Sequence, residues 1–205
     1  MEIKGLNFAY GNATIFEDFD FYSEAKVMAI KGPTGCGKTT LLKIISKNLL
    51  PRSGHVLVKA ERICFIIQED SLFPWLSGTA NISKILNIPN DQIYQHKMFS
   101  HLRSFIEKRA YEMSYGQRRL IELFRTILYA PDLLLLDEPF SFIDSESRKM
   151  VTMFLKLLAS ENKRIMLSSH HNEDLFDLSA EVHVFDGKLP VRRLKLLAQP
   201  DDIQK

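Results

Sequence analysis

Residues 32–39 read Gly-Pro-Thr-Gly-Cys-Gly-Lys-Thr, a GxxxxGK[ST] pattern that follows an apolar run at 27–31 and opens a helical pattern at Lys38. These residue types suit phosphate. Glycines let the backbone curl until successive N–H groups converge on oxygen atoms, and the helix that follows adds positive partial charge at its N-terminus. Gly32, Pro33, Thr34, Gly35, Cys36 and Gly37 would form the cradle. Lys38 would bridge the β and γ phosphates of ATP, Thr39 would place its hydroxyl on Mg²⁺, and Thr40 would reach the α phosphate. Cys36 has two placements open: a thiol activated by the helix start, or a small side chain turned away from phosphate.

A second run, residues 133–139, joins four leucines to Asp137, Glu138 and Pro139. Four leucines in a row predict a strand buried on both faces, and such strands deliver their C-terminal ends to the ligand crevice of a parallel sheet. Asp137 would hold the Mg²⁺ shell. Glu138 would be the general base that polarises a water for in-line attack on the γ phosphate.

These groups need a scaffold that alternates strands with helices. Short aliphatic runs at 27–31, 56–58, 63–67, 133–136, 164–168 and 182–185 predict strands, and longer periodic stretches at 38–48, 117–129, 145–160 and 172–178 predict helices. That alternation predicts an α/β domain with a largely parallel sheet. Within 117–129, Leu120, Ile121, Leu123, Phe124, Ile127 and Leu128 mark one buried helix face. The aromatic-rich first two dozen residues predict a small antiparallel hairpin. Residues 71–112, punctuated by Pro74, Gly78 and Pro89, predict a helical insertion. Asp186-Gly187 reads as a two-residue turn joining 182–185 to a strand at 188–191, and the polar residues 198–205 as a frayed end.

In their order along the chain these segments resemble the nucleotide-binding subunits of ATP-binding cassette (ABC) ATPases. The resemblance covers nearly all of the sequence and adds five assignments. Tyr10 is similar to the aromatic that stacks on adenine, and Gln68 to the glutamine that senses Mg²⁺ and water. Met113-Ser114-Tyr115-Gly116-Gln117 resembles the signature loop usually written LSGGQ, Ser141-Phe142-Ile143-Asp144 the loop joining two subunits, and His170 the switch histidine at the γ phosphate.

The resemblance implies a P-loop NTPase (RecA-like) core, a small N-terminal antiparallel β subdomain and a helical insertion carrying the signature loop. It makes 1–205 a single ATPase domain, with the core at about 1–70 and 118–205 and the helical subdomain at about 71–117. Ser114, Tyr115, Gly116, Gln117 and Asp144 would then face the ATP held by a second ATPase subunit, identical or paralogous, so that hydrolysis requires two chains. Physically, Ser114 precedes a long helix whose first N–H groups lack intrahelical partners, which makes the loop an anion site. Tyr115 stands where the usual signature has glycine, and the resemblance places its ring beside the γ phosphate. Residues 54–68 are short for the family, which implies a trimmed β subdomain.

Residues 68–76 look similar to the corresponding segment of nitrate-, sulfonate- and taurine-type importer ATPases. That implies membrane permease subunits as partners, a substrate-binding protein if the system imports, and a cytoplasmic location, peripheral on the inner face of the membrane. Leu72, Phe73 and Trp75 have two placements open, docked against a permease or packed inside the insertion. A soluble ABC ATPase of an assembly complex, of the iron–sulfur type, is the alternative. A P-loop nucleotide kinase would lack the Ser114 loop and the His170 element.

Composition excludes other classes. At 205 residues, 45% hydrophobic and 25% charged, the chain can bury a true core and is neither disordered nor fibrous. A formal charge of +2 supplies no field for nucleic acid. Two cysteines, Cys36 and Cys64, are too few for a disulfide scaffold, and no apolar run is long enough for a transmembrane helix.

Overall fold

The structure, a computed structural model, describes residues 1–169, 172–185 and 188–198. Two sheets organise it. The smaller has the order β4-β1-β2-β9, from β1 (Glu2–Tyr10), β2 (Ala13–Tyr22), β4 (Ser53–Leu57) and β9 (Val191–Arg193). The larger has the order β10-β8-β3-β7-β6-β5, from β3 (Val27–Lys31), β5 (Ile63–Ile66), β6 (Leu133–Leu136), β7 (Arg164–Ser168), β8 (Glu181–Val184) and β10 (Lys195–Ala198). Strands β5, β6, β7, β3 and β8 pair parallel, and β10 closes the edge antiparallel.

Strand β6 lies between β7 and the edge strand β5 of the large sheet and has all four leucines fully buried. Leu134 and Leu136 enter one core with Ile165 and Leu167, while Leu133 and Leu135 enter the other with Met28, Ile30 and Met166. Burial on both faces is why these strands carry no polar alternation. Helix α1 (Lys38–Ile45) and the aromatics Phe8, Phe16 and Phe19 of the β1–β2 hairpin cover one face. Helices α4 (Tyr115–Tyr129) and α5 (Ser145–Ser160) cover the other. Between β5 and α4 lie α2 (Gly78–Leu86), α3 (Asn90–Tyr94) and two 3₁₀ turns, with no strand, as the punctuation of that stretch implied. Helix α6 (Asn172–Asp177) follows β7.

Three expectations are corrected. Helix α1 stops at Ile45 rather than near Asn48, because Lys47 turns to φ 64° and the Asn48 and Leu49 amides double back onto the Lys43 carbonyl. Helix α4 begins two residues early, at Tyr115, because Ser114 caps it: the Ser114 hydroxyl accepts from the Gln117 amide while the Gln117 side chain accepts from the Ser114 amide. The antiparallel partner of β8 is β10, not residues 188–191. Val191 is instead buried in β9, which pairs parallel with β2 in the small sheet. Residues 186–187, the expected turn, and 199–205, the expected frayed end, lie outside the described residues.

Candidate nucleotide site

The phosphate loop emerges from β3 and runs into α1, so the motif has the strand–turn–helix setting that phosphate binding requires. Two of its glycines are dictated by geometry. Gly32 has φ 154°, and a Cβ there would meet Phe185 Cβ at 2.7 Å; Gly37 has φ 107° and would push a Cβ to 3.0 Å from Ile15. Lys38 is buried and donates to the carbonyls of Gly32 and Pro33 at 2.8 and 3.1 Å, which folds the loop around its ammonium. An ammonium has three donors, so one remains for a phosphate oxygen. Cys36 lies in the core beside the β1–β2 aromatics, which gives it the second of its two placements, a small side chain turned away from the phosphate side.

Thr39 and Asp137 meet across the sheet, the hydroxyl donating to Oδ2 at 2.6 Å. Ser168 at the end of β7 donates to Asp137 Oδ1 at 2.6 Å and accepts from the Glu138 amide at 2.8 Å, so one hydroxyl orients both acids. Glu138 is buried with φ 48°, a left-handed backbone that costs about 1–3 kcal/mol for a non-glycine residue and is characteristic of functional sites. Its Oε2 accepts from the Ser141 hydroxyl at 3.4 Å. These side chains share a cavity of about 600 Å³ lined by Thr34, Gly35, Lys38, Thr39, Thr40, Gln68, Asp137 and Glu138, with Tyr10 at its rim. Tyr10 is 49% exposed and its ring is held edge-to-face on Phe8 at 4.9 Å, which leaves a face open for a base.

The donor set suits Mg²⁺. It offers hard oxygens from Thr39, Asp137 and Gln68 with one carboxylate nearest, and Mg²⁺ prefers one or two carboxylates completed by phosphate and water to an all-protein cage. Among the described residues no cluster of three His, Cys, Asp or Glu side chains forms such a cage.

The residues that resemble the signature loop lie elsewhere. Ser114, Tyr115, Gly116 and Gln117 start α4, and none of them lines the cavity that holds Lys38. Gly116 is pressed against α5: a Cβ there would lie 2.4 Å from Ser147 Oγ. Asp144 is exposed and caps α5, with Oδ1 accepting from the Ser147 amide at 2.8 Å and Oδ2 from its hydroxyl at 2.9 Å. The Ser147 amide holds the Asp144 carboxyl below the usual range. Tyr115 is half-buried. Its hydroxyl donates to the Gln68 carbonyl, and the Arg118 and Arg119 guanidinium carbons sit 5.7 and 5.6 Å from its centroid. His170 lies outside the described residues.

Sequence reasoning missed Ser168, for which no local signal exists, and the pair Arg119–Glu122. Both members are 2% exposed and their ion pair measures 2.9 Å. Burial pushes the Glu122 carboxyl up, against the pull of Arg119 and Ser71. The available signal was two charges inside the apolar stripe of α4.

With this geometry in hand, comparison with known proteins defines the class. The ABC transporter family model matches residues 18–141, and the chain belongs to that family. The chain is 32% identical over 164 residues to the taurine import ATP-binding protein TauB of Roseobacter denitrificans, covering 73% of this chain and 61% of that protein. It is 30% identical over 219 residues to the aliphatic sulfonates import ATP-binding protein SsuB of Bacillus cereus, covering 95% and 87%. Its fold matches the dimeric post-hydrolysis state of the ATP-binding cassette MJ0796 bound to ADP and phosphate, with TM-score 0.78, 19% identity, and 96% and 98% of the two chains covered. No helix among the described residues is long and apolar enough to cross a membrane.

Proposed function

We propose that this chain is the ATP-binding and hydrolysing subunit of an ABC importer, working as one of a pair of ATPase subunits beneath membrane permease partners on the inner face of the cell membrane. The observation that carries the reading is spatial. One cavity gathers the phosphate loop, Gln68, Asp137 and Glu138, while Ser114, Tyr115, Gly116 and Gln117 do not line it; in this reading they serve a second chain's site. The names of the relatives support transport over a soluble assembly role.

In this reading Lys38 and the loop amides hold the triphosphate, and Tyr10 carries the adenine. Mg²⁺, held by Thr39, Asp137 and Gln68, would neutralise charge developing on the phosphate oxygens. Glu138, fixed through its amide by Ser168, accepts the proton of the attacking water, and His170 contacts the γ phosphate. Ser114 keeps its hydroxyl proton available, because its oxygen serves the Gln117 amide only as an acceptor. That proton and the first-turn amides of α4 address the γ phosphate of the opposite subunit's ATP.

Residues 71–117 form the arm that reports turnover to the permease. Leu72 packs in the core, whereas Phe73 and Trp75 are 44% and 64% exposed with ring centroids 5.6 Å apart. Phe73 borders a groove of about 610 Å³ that also takes in Ile85, Leu86 and Tyr129. A permease helix seated in this groove would touch the segment that follows Gln68. The test is to isolate the tagged chain from its native membranes and sequence what is bound in fixed stoichiometry. A polytopic membrane protein supports the reading; a soluble scaffold protein in its place overturns it.

A further inference from the structure

We propose that the Tyr115 hydroxyl is a positioning group that couples the Gln68 nucleotide sensor to the start of α4, so that a displacement in one site is passed to the loop that serves the other. The coupling deepens the two-chain reading above, and its consequence for the second nucleotide rests on that reading.

The observation is a clamp between residues 67–71 and the first two turns of α4. The Tyr115 hydroxyl donates to the Gln68 carbonyl and accepts from Arg119 Nη2 at 3.0 Å. Arg119 Nη2 donates to the same carbonyl at 2.8 Å, and Nη1 donates to the Ile67 carbonyl at 3.0 Å. Glu122 then closes the far end: Oε2 takes Arg119 Nη1 at 2.9 Å, and Oε1 takes the Ser71 amide and hydroxyl at 2.7 and 2.6 Å. Arg118 pairs with Asp70 on the outside. Phe142, in the loop after Glu138, meets the Tyr115 ring edge-on at 6.3 Å.

The consequence follows from stiffness. Gln68 lines the nucleotide cavity while its carbonyl is gripped by two donors from α4, so the residue cannot move without dragging or breaking those bonds. Connected networks of this kind behave as units, because each lost bond leaves a neighbour with a donor or acceptor to satisfy. Tyr115 is the first residue of α4 and adjoins Ser114, so the motion arrives at the signature loop. Coupling of this sort is reciprocal: a ligand at the signature loop bears equally on Gln68. Glycine at position 115 would have no hydroxyl with which to make the link.

Tyr115→Phe removes the hydroxyl and keeps the ring with its guanidinium and Phe142 neighbours. Amide hydrogen exchange is followed with and without ATP and Mg²⁺ in the full chain, kept monomeric by dilution. The wild type should show slowed exchange at 67–71 and at 114–118 together. The variant should keep the response at 67–71 and lose it at least threefold at 114–118. In steady-state hydrolysis at assembling concentrations, the variant's half-saturating ATP should rise about three- to tenfold, the scale of one hydrogen bond, with a smaller change in kcat. Equal responses of both segments in the variant, or a wild-type response confined to 67–71, overturn the coupling. A wild type that shows the linked response but never dimerises with ATP upholds the clamp and removes the two-chain reading.

Discussion

Glu122→Ala is the substitution whose cost the structure fixes best. Glu122 and Arg119 are each 2% exposed, and the carboxylate accepts the Arg119 guanidinium on one oxygen and two Ser71 donors on the other. Alanine removes all three acceptor contacts at once. The guanidinium stays buried with its charge uncompensated, and breaking a buried pair from one side costs about 3–5 kcal/mol. Domains of this class are stable by roughly 5–15 kcal/mol in total, so the loss is a large fraction of the whole. At about 2–4 °C per kcal/mol for a domain near 200 residues, Tm should fall by roughly 6–20 °C. The assay is thermal and urea unfolding of the wild type, Glu122→Ala, Arg119→Met and the double variant. Both charges removed together leave no buried ion, so the double variant should be more stable than the sum of the single losses allows. A Glu122→Ala loss below about 1 kcal/mol, or strict additivity in the double variant, would refute the reasoning that the pair is buried and mutually dependent.

Two further outcomes are expected. Glu138→Gln should lower ATP turnover by about 10²–10⁴ while the chain still binds ATP, measured by phosphate release and nucleotide titration; unchanged turnover would remove Glu138 as the base. Asp144→Ala should cost about 1 kcal/mol through loss of the α5 cap, measured by urea unfolding. The Asp144 carboxyl is held below its usual range by the Ser147 amide, so its stabilisation is fully present above the unfolded value of about 3.9 and is lost as pH falls through the folded value. The gap between wild type and variant should therefore narrow below about pH 4, and a gap that widens on acidification would contradict the capping role.

The chemistry-bearing residues were legible where they are local. The phosphate loop and the leucine run ending in Asp137 and Glu138 carry their own strand context, and periodicity placed α5 at its observed bounds. Features that depend on distant partners were not legible. Asp186-Gly187 has hairpin composition, yet β8 pairs with β10 because Val191 is buried against the small sheet instead. Nothing near Tyr115 in sequence announces the Gln68 carbonyl that captures its hydroxyl. Ser168 ends an apolar strand and becomes significant only when β6 and β7 lie side by side. Arg119 and Glu122 interrupt the apolar stripe of α4, but the carbonyls and the Ser71 donors that hold them come from residues 67–71, far away in sequence.

The central claim is that one chain's phosphate loop is completed by another chain's signature loop, and mixing two crippled variants tests it most directly. Lys38→Ala disables a chain's own phosphate loop; Ser114→Arg blocks the loop it offers to its partner. Each variant alone should hydrolyse ATP at background. Mixed in equal amounts, a Ser114→Arg chain supplies an intact Lys38 and a Lys38→Ala chain an intact Ser114, so one whole site forms and the rate rises well above either variant. A mixture as inactive as its components, or a Ser114→Arg chain that retains wild-type turnover by itself, would contradict the account.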